Sequence, residues 1–237
     1  MARQQGDLAR AQALGEESLH LSRQLGDERG MSGALSGLGR VALERGDLAR
    51  ARALHEESLE LGRRMADAHR VALDLGNLAT IALLEQDYAR AVELGEESLA
   101  LRRRQGSTTD IALALADLGQ ALYLQGNYHR ALTLLRESLS GLRDTRYMPA
   151  VADCLELLAK ALYTHDNAQQ AARLLGAATT LRSTFGTSRL AQVQADYEST
   201  VAEVRAALGE EAFAAACADG AVLGLDEAIA CAVEGAT

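Results

Sequence analysis

The chain has 237 residues, of which 48% are hydrophobic but only 3% aromatic, and its formal net charge is −9. This acidic balance argues against general nucleic-acid binding, which needs a basic surface. Alanine, leucine, arginine and glutamate are abundant, proline occurs once, and these residue types are strong helix formers. The composition therefore predicts an all-α protein.

Residues 1–20 are polar and charged, unlike a secretory signal peptide, and no uninterrupted apolar run reaches the length of a membrane span. Cys154, Cys217 and Cys231 are odd in number and widely spaced, and they lie on apolar helical faces. This pattern favours buried free thiols in a reducing compartment. We therefore expect a cytoplasmic protein that makes no membrane contact.

A ten-residue phrase recurs along the chain with an offset of 40 residues. Gly-Asp-Leu-Ala-Arg-Ala begins at Gly6 and at Gly46, and Glu-Glu-Ser-Leu begins ten residues later in each copy, at Glu16 and Glu56. Related phrases begin at Gln86, Gly126 and Asp166. Self-similarity at a period of this length is the signature of a repeat array.

Each repeat holds two helical patterns. The first carries leucines three positions apart and then a small residue, as in Leu35, Leu38 and Gly39, which allows a neighbouring helix to approach closely. A Gly-Asp or Gly-Asn turn leads into the second helix. The pattern predicts first helices over 32–44, 72–85, 112–124 and 152–164, second helices over 48–63, 88–103, 128–142 and 168–182, and linkers over 25–30, 65–70, 105–110 and 145–150.

This register resembles the tetratricopeptide repeat. The resemblance rests on small residues at three positions of the unit, which are Gly39, Ala51 and Ser58 in the first complete repeat. It implies a right-handed superhelical solenoid of helix pairs with a period of 40 residues, longer than the usual period of about 34. Leu35 and Ala42 stand where the standard unit has large aromatic side chains.

The C-terminal phrases at 171–183, 196–216 and 223–230 resemble the end of bacterial multidomain signalling ATPases that regulate transcription, the class of the maltose-regulon activator. The resemblance implies a sensor region for signal transduction, with the ATPase and DNA-binding domains elsewhere in the protein. The alternative is a freestanding tetratricopeptide scaffold that assembles protein complexes. We predict the repeat array over 1–185 and capping helices over 186–237.

The chain begins in the middle of a repeat, because Gly6-Asp7 is the turn between a first and a second helix. Residues 7–24 therefore predict a second helix without its first, and we expect the chain to be a fragment of a longer protein. An apolar stripe on this helix is expected to be partly exposed and to allow a homodimer through the N-terminal edge. The stripe consists of Leu8, Ala11, Leu14, Ser18 and Leu21.

The sequence lacks the motifs of common enzymes. Lys160, the only lysine, does not follow a glycine-rich phosphate loop, and the histidines show no metal-ligand spacing. His20 and His55 are expected to be exposed or to serve in packing. Glutamate neighbours such as Glu16 and Glu17 point about 100° apart on a helix, which favours a solvated face over an acid–base pair. We predict no catalytic residue, cofactor or metal site.

The candidate binding surface is the concave face that the first helices line in such a stack. A column of hydrogen-bonding side chains beside two tyrosines suits a protein or peptide partner, or a small polar inducer. The alternative is that these side chains are merely solvated. The candidate site residues are Arg40, Asn77, Thr80, Gln120, Tyr123, Lys160 and Tyr163.

Overall fold

The computed structural model describes residues 2–143, 145, 147–165, 167–187 and 191–234, and this part of the chain contains helices and no strand. The all-α prediction is therefore confirmed. The chain forms two compact units, an N-terminal unit (Met1–Gly106) and a C-terminal unit (Ser107–Thr237).

The helices are evenly spaced through most of the chain. Those of the N-terminal unit are α1 (Ala2–Leu25), α2 (Glu28–Glu44), α3 (Leu48–Arg64), α4 (Ala68–Leu84) and α5 (Tyr88–Gln105). Those of the C-terminal unit are α6 (Thr108–Leu124), α7 (Tyr128–Leu142), α8 (Met148–Tyr163), α9 (Ala168–Phe185), α10 (Ala191–Leu208), α11 (Glu210–Ala221) and α12 (Leu225–Glu234).

The first helix of each repeat begins four residues earlier than the hydrophobic pattern predicts, so the linkers are shorter than expected. The cause is a second set of N-caps: Asp27, Asp67 and Ser107 each accept a hydrogen bond from the backbone N–H three residues ahead. Such caps satisfy amides that have no partner within the helix. Pro149, predicted in a linker, lies in the first turn of α8, where its missing N–H is not needed.

In the N-terminal unit each helix packs against the next one along the chain, and α2 also contacts α4. The predicted leucine stripe lies in the core, where Leu35 is 1% exposed and Leu75 is fully buried. Gly39 is also buried, as expected for a position of close helix approach. The two-helix repeat predicted from the sequence is therefore the structural unit.

Helix α1 has neighbours on one side only. Leu19 is buried against α2, whereas Leu14 and Leu21 are 57% and 49% exposed. Leu61, the counterpart of Leu21 one repeat later, is 7% exposed. Part of the predicted stripe is thus exposed to solvent, and the homodimer through this edge stays a prediction.

In the C-terminal unit, α6 to α9 repeat the same pairing and the last three helices cover it from different sides. Helix α10 contacts α8 and α9, α11 packs along α9, and α12 contacts α7 and α9. Val204, Phe213 and Ile229 join one apolar core with the repeat helices. The predicted domain boundary between residues 185 and 186 stays a prediction.

The C-terminal end of α12 is held by side chains from the repeats. Arg136 Nε donates a hydrogen bond to the carbonyl oxygen of Ala232 at 3.2 Å, and Gln170 Nε2 donates to that of Cys231 at 2.7 Å. The last carbonyls of a helix have no partner within it, so these bonds satisfy acceptors that would otherwise be left unpaired. Burial lowers the pKa of Arg136 from its ordinary value.

The three cysteines are free thiols in different surroundings. Cys154 is buried in the core and donates a hydrogen bond to the carbonyl oxygen of Leu135, whereas Cys217 and Cys231 are partly exposed. Burial raises the pKa of the Cys154 thiol to about 12. Because the thiolate is the reactive form, pKa and burial both protect Cys154.

We expect Cys154 in the native protein to react with a disulfide reagent at pH 8 at least about tenfold more slowly than Cys231. Mass spectrometry of peptides from a time course would measure the two rates separately. Unfolding the protein in denaturant should make the rates similar, since the difference comes from the fold. Equal rates in the native protein would contradict the buried position of Cys154.

Candidate functional site

A cavity of about 260 Å³ lies between α6, α8 and α10 of the C-terminal unit. Helices α6 and α8 are the first helices of successive repeats and contact each other. Leu113, Ala116 and Leu157 form part of its apolar lining, and Gln120 and Lys160 contribute polar groups. The cavity therefore combines an apolar floor with hydrogen-bonding groups on the surface that the first helices line.

Three of the predicted site residues come together here. Gln120 and Lys160 both line the cavity, and Lys160 Nζ lies 5.5 Å from the centroid of the Tyr123 ring. The Lys160 side chain is 22% exposed and is paired with the carboxylate of Asp196 on α10. Tyr123 is held in place by a hydroxyl contact of 3.0 Å with Thr164. Lys160 is thus a partly buried group with a partner, and not the solvated column member that the sequence suggested.

The other four predicted residues lie elsewhere. Tyr163 packs against the apolar core of the C-terminal unit. Arg40, Asn77 and Thr80 belong to the N-terminal unit, where Arg40 is exposed and Asn77 half-buried. The Thr80 hydroxyl donates a hydrogen bond to the carbonyl oxygen of Gly76 in its own helix. The assignment of these four residues to a binding site stays a prediction.

One side of the cavity is a wall of carboxylates organised by a buried arginine. Arg182 on α9 is 5% exposed and donates two hydrogen bonds to Glu156, at 2.8 and 3.0 Å, and another to Asp153. Burial disfavours its charged form, but these carboxylates outweigh burial and raise the pKa of Arg182 above its ordinary value. Asp153 and Glu156 also line the cavity, so Arg182 fixes them from behind.

Sequence reasoning missed the contribution of α10. Asp196 and Tyr197 line the cavity, and the Tyr197 hydroxyl lies 3.1 Å from the hydroxyl of Thr179 on α9. Helix α10 has no counterpart in the preceding repeats, so the 40-residue register could not place it. The one available signal was the lone lysine on an acidic chain, which needs a counter-ion where it is partly buried.

The N-terminal unit contains a buried polar cluster, defined here as Ser32, His55, Ser58 and Asp74. His55 Nδ1 lies 2.9 Å from Asp74 Oδ1, and the Ser58 hydroxyl donates to Asp74 Oδ2 at 2.6 Å. The two serine hydroxyls are 3.0 Å apart. His55 and Asp74 are fully buried, and serine and histidine both contact the aspartate and not each other. The cluster therefore lacks the serine-to-histidine contact and the access that nucleophilic catalysis needs.

Within the described residues, no three metal-ligating side chains are grouped so that they could hold an ion. None of the helices in this part of the chain combines the length and apolarity needed to cross a bilayer. The cavity in the C-terminal unit is therefore the strongest candidate for a functional site.

Comparison with known proteins identifies the repeat type. Residues 32–69 and 67–144 match two sequence models of the tetratricopeptide repeat. The chain is also similar to the crystal structure of BtubC (BKLC) from P. vanneervenii, with 22% sequence identity and a TM-score of 0.66, over 97% of this chain and 93% of that chain. No curated protein matches the chain. The chain thus contains tetratricopeptide repeats, and its fold is that of a helical repeat protein.

Proposed function

We propose that these tetratricopeptide repeats form a non-catalytic protein-binding module that receives a peptide segment in the cavity between α6, α8 and α10. The observation that carries this proposal is the cavity itself, with its apolar floor and polar rim on the surface lined by first helices. At about 260 Å³ it is smaller than typical small-molecule sites, which span about 300–1,000 Å³. It suits one or two side chains of a bound peptide better than a complete small inducer.

Filling the cavity should abolish peptide binding. We expect Ala116→Trp to weaken binding of peptides selected from a random display library by at least about tenfold, because the indole would occupy the apolar floor. Ala116 is half-buried and lines the cavity, so the added bulk points at the proposed binding volume. Binding affinities measured by fluorescence anisotropy would test the proposal.

The matched control is Ala215→Trp, at an exposed position of α11 in the same unit. It should leave peptide affinity unchanged, and both variants should melt within a few degrees of the unchanged protein. Retention of full affinity by Ala116→Trp would contradict binding in this cavity. A library that yields no binding peptide at all would contradict the interaction function.

For the larger context, we propose that the module is the sensor region of a bacterial transcription-regulating ATPase. The support is the resemblance of the phrases at 171–183, 196–216 and 223–230 to that class. In such a protein, partner binding to the repeats would control an ATPase located elsewhere in the protein. A phosphate-binding loop encoded upstream in the same reading frame would support this role, and a stop codon directly upstream of Met1 would contradict it.

The second candidate is a freestanding scaffold for assembling protein complexes. It is favoured by the similarity to BtubC (BKLC), because the match covers 93% of that chain and leaves little room there for a further domain. A scaffold of this kind needs at least two partner surfaces. Simultaneous binding of two different peptides to one molecule would favour the scaffold over the sensor.

A further inference from the structure

We infer that the peptide segment received by this cavity presents an arginine or lysine side chain next to an apolar residue. This inference rests on the proposed function and names the partner chemistry of the same site. It is argued from the charges around the cavity, from the exposure of two of its carboxylates and from the apolar floor between them.

Carboxylates dominate the charged lining of the cavity. Four lining residues are acidic, and Lys160 is the one cation among the described lining residues. The acidic residues are Asp117, Asp153, Glu156 and Asp196. Arg182 adds a second positive charge behind the wall, but negative charge still prevails. A cationic side chain entering the cavity would be attracted, and an acidic one would be repelled.

Two of these carboxylates are positioned to accept a further donor. The side chains of Asp153 and Asp196 are each 56% exposed, although each is already paired with one cation, Arg182 and Lys160 respectively. An ionised carboxylate offers about four lone-pair sites on its two oxygens, so one ion pair does not exhaust it. The planar fork of an arginine is suited to bridging such acceptors.

The apolar floor explains why the cation should come with a hydrophobic neighbour. Leu113, Leu157 and Leu175 line the cavity beside the carboxylates. Lysine and arginine bury their aliphatic stems along apolar surface while the charged head stays near polar groups. An adjacent leucine or methionine would occupy the remaining apolar volume and exclude water from the ion pairs.

The test uses three pools of fluorescent, end-capped hexapeptides with a central Arg-Leu, Gln-Leu or Glu-Leu pair and uncharged residues at all other positions. We expect the Arg-Leu pool to bind about tenfold more tightly than the Glu-Leu pool, which corresponds to about 1.4 kcal/mol. Binding should weaken as salt rises from 50 to 500 mM, since half-exposed charges are screened.

Variants assign this preference to the cavity. The double variant Asp153→Asn with Asp196→Asn should reduce the preference for arginine to less than about threefold. The control Glu211→Gln with Asp219→Asn changes the net charge equally on exposed positions of α11 and should keep the preference. Lys160→Met should strengthen binding of the Arg-Leu pool, because Asp196 would lose its internal partner.

The outcomes separate this inference from the proposed function. Pools that bind equally well, or a tighter Glu-Leu pool, would overturn the cationic preference; if Ala116→Trp still abolished that binding, the proposed function would stand. A preference for arginine that survives Asp153→Asn with Asp196→Asn would also overturn the inference. If no pool binds, the inference fails, and the display selection with Ala116→Trp decides the proposed function separately.

Discussion

Replacing His55 by leucine while Asp74 remains is expected to destabilise the protein by about 3–5 kcal/mol, because it leaves a buried carboxylate without its main partner. Asp74 is fully buried, and its remaining hydrogen bond would come from the Ser58 hydroxyl at 2.6 Å. Asp74→Ala alone should cost less, about 1–3 kcal/mol, since it leaves an unpaired imidazole N–H and no buried charge.

The double variant His55→Leu with Asp74→Ala should recover most of the lost stability. A later repeat already uses the apolar arrangement: Leu135 stands at the position of His55 and Ala114 at the position of Asp74. Gly39 faces the His55 ring, as Gly119 faces the Leu135 side chain, so space for a leucine exists. Replacing a buried polar pair by well-packed apolar residues is often neutral or stabilising.

Thermal and urea unfolding of the two single variants and the double variant would measure the coupling between His55 and Asp74. Helix content and a single sedimenting species should first show that each variant is folded. Additive losses in the double variant would contradict the interpretation that the cost of each single substitution is the unpaired partner.

Much of the fold follows from the sequence because the repeat repeats its own physical solution. A leucine stripe, a small residue and a Gly-Asp turn recur every 40 residues, and each copy restates which face is buried. The structure adds a finer period of 20 residues, set by caps such as Asp27, Asp47 and Asp67. The caps at Asp27 and Asp67 were visible in the sequence, and their omission moved the predicted helix starts by one turn.

The binding site was predictable only where it follows the register. Gln120 and Lys160 share a row of the repeat and do meet in the cavity. Asp196 comes from α10, which has no repeat counterpart, so its pairing with Lys160 depends on how the chain turns back after α9. His55 was equally hidden, since a single histidine on a second helix gives no sign of its partner nineteen residues away.

Replacing Gly220 by alanine should cost about 3 kcal/mol or more, at the upper end of what overpacking a core typically costs. A Cβ at Gly220 would lie 1.9 Å from the carbonyl oxygen of Arg173, and one at Gly176 would lie 2.1 Å from that of Cys217. The obstacles are backbone atoms of the facing helix, which cannot rotate away as a side chain can. Helix α11 would therefore have to move off α9.

Such a shift should expose the part of the core that α11 covers, including Phe213, which is 7% exposed in the structure. We expect faster amide exchange over 210–221 in Gly220→Ala and in Gly176→Ala, together with a lower melting temperature. Gly37→Ala is the matched control, because nothing lies within 4 Å of its added Cβ in the middle of α2. There the substitution should stabilise the helix by up to about 1 kcal/mol. A Gly220→Ala protein as stable as Gly37→Ala, with unchanged exchange in α11, would show that the two helices do not pack this closely.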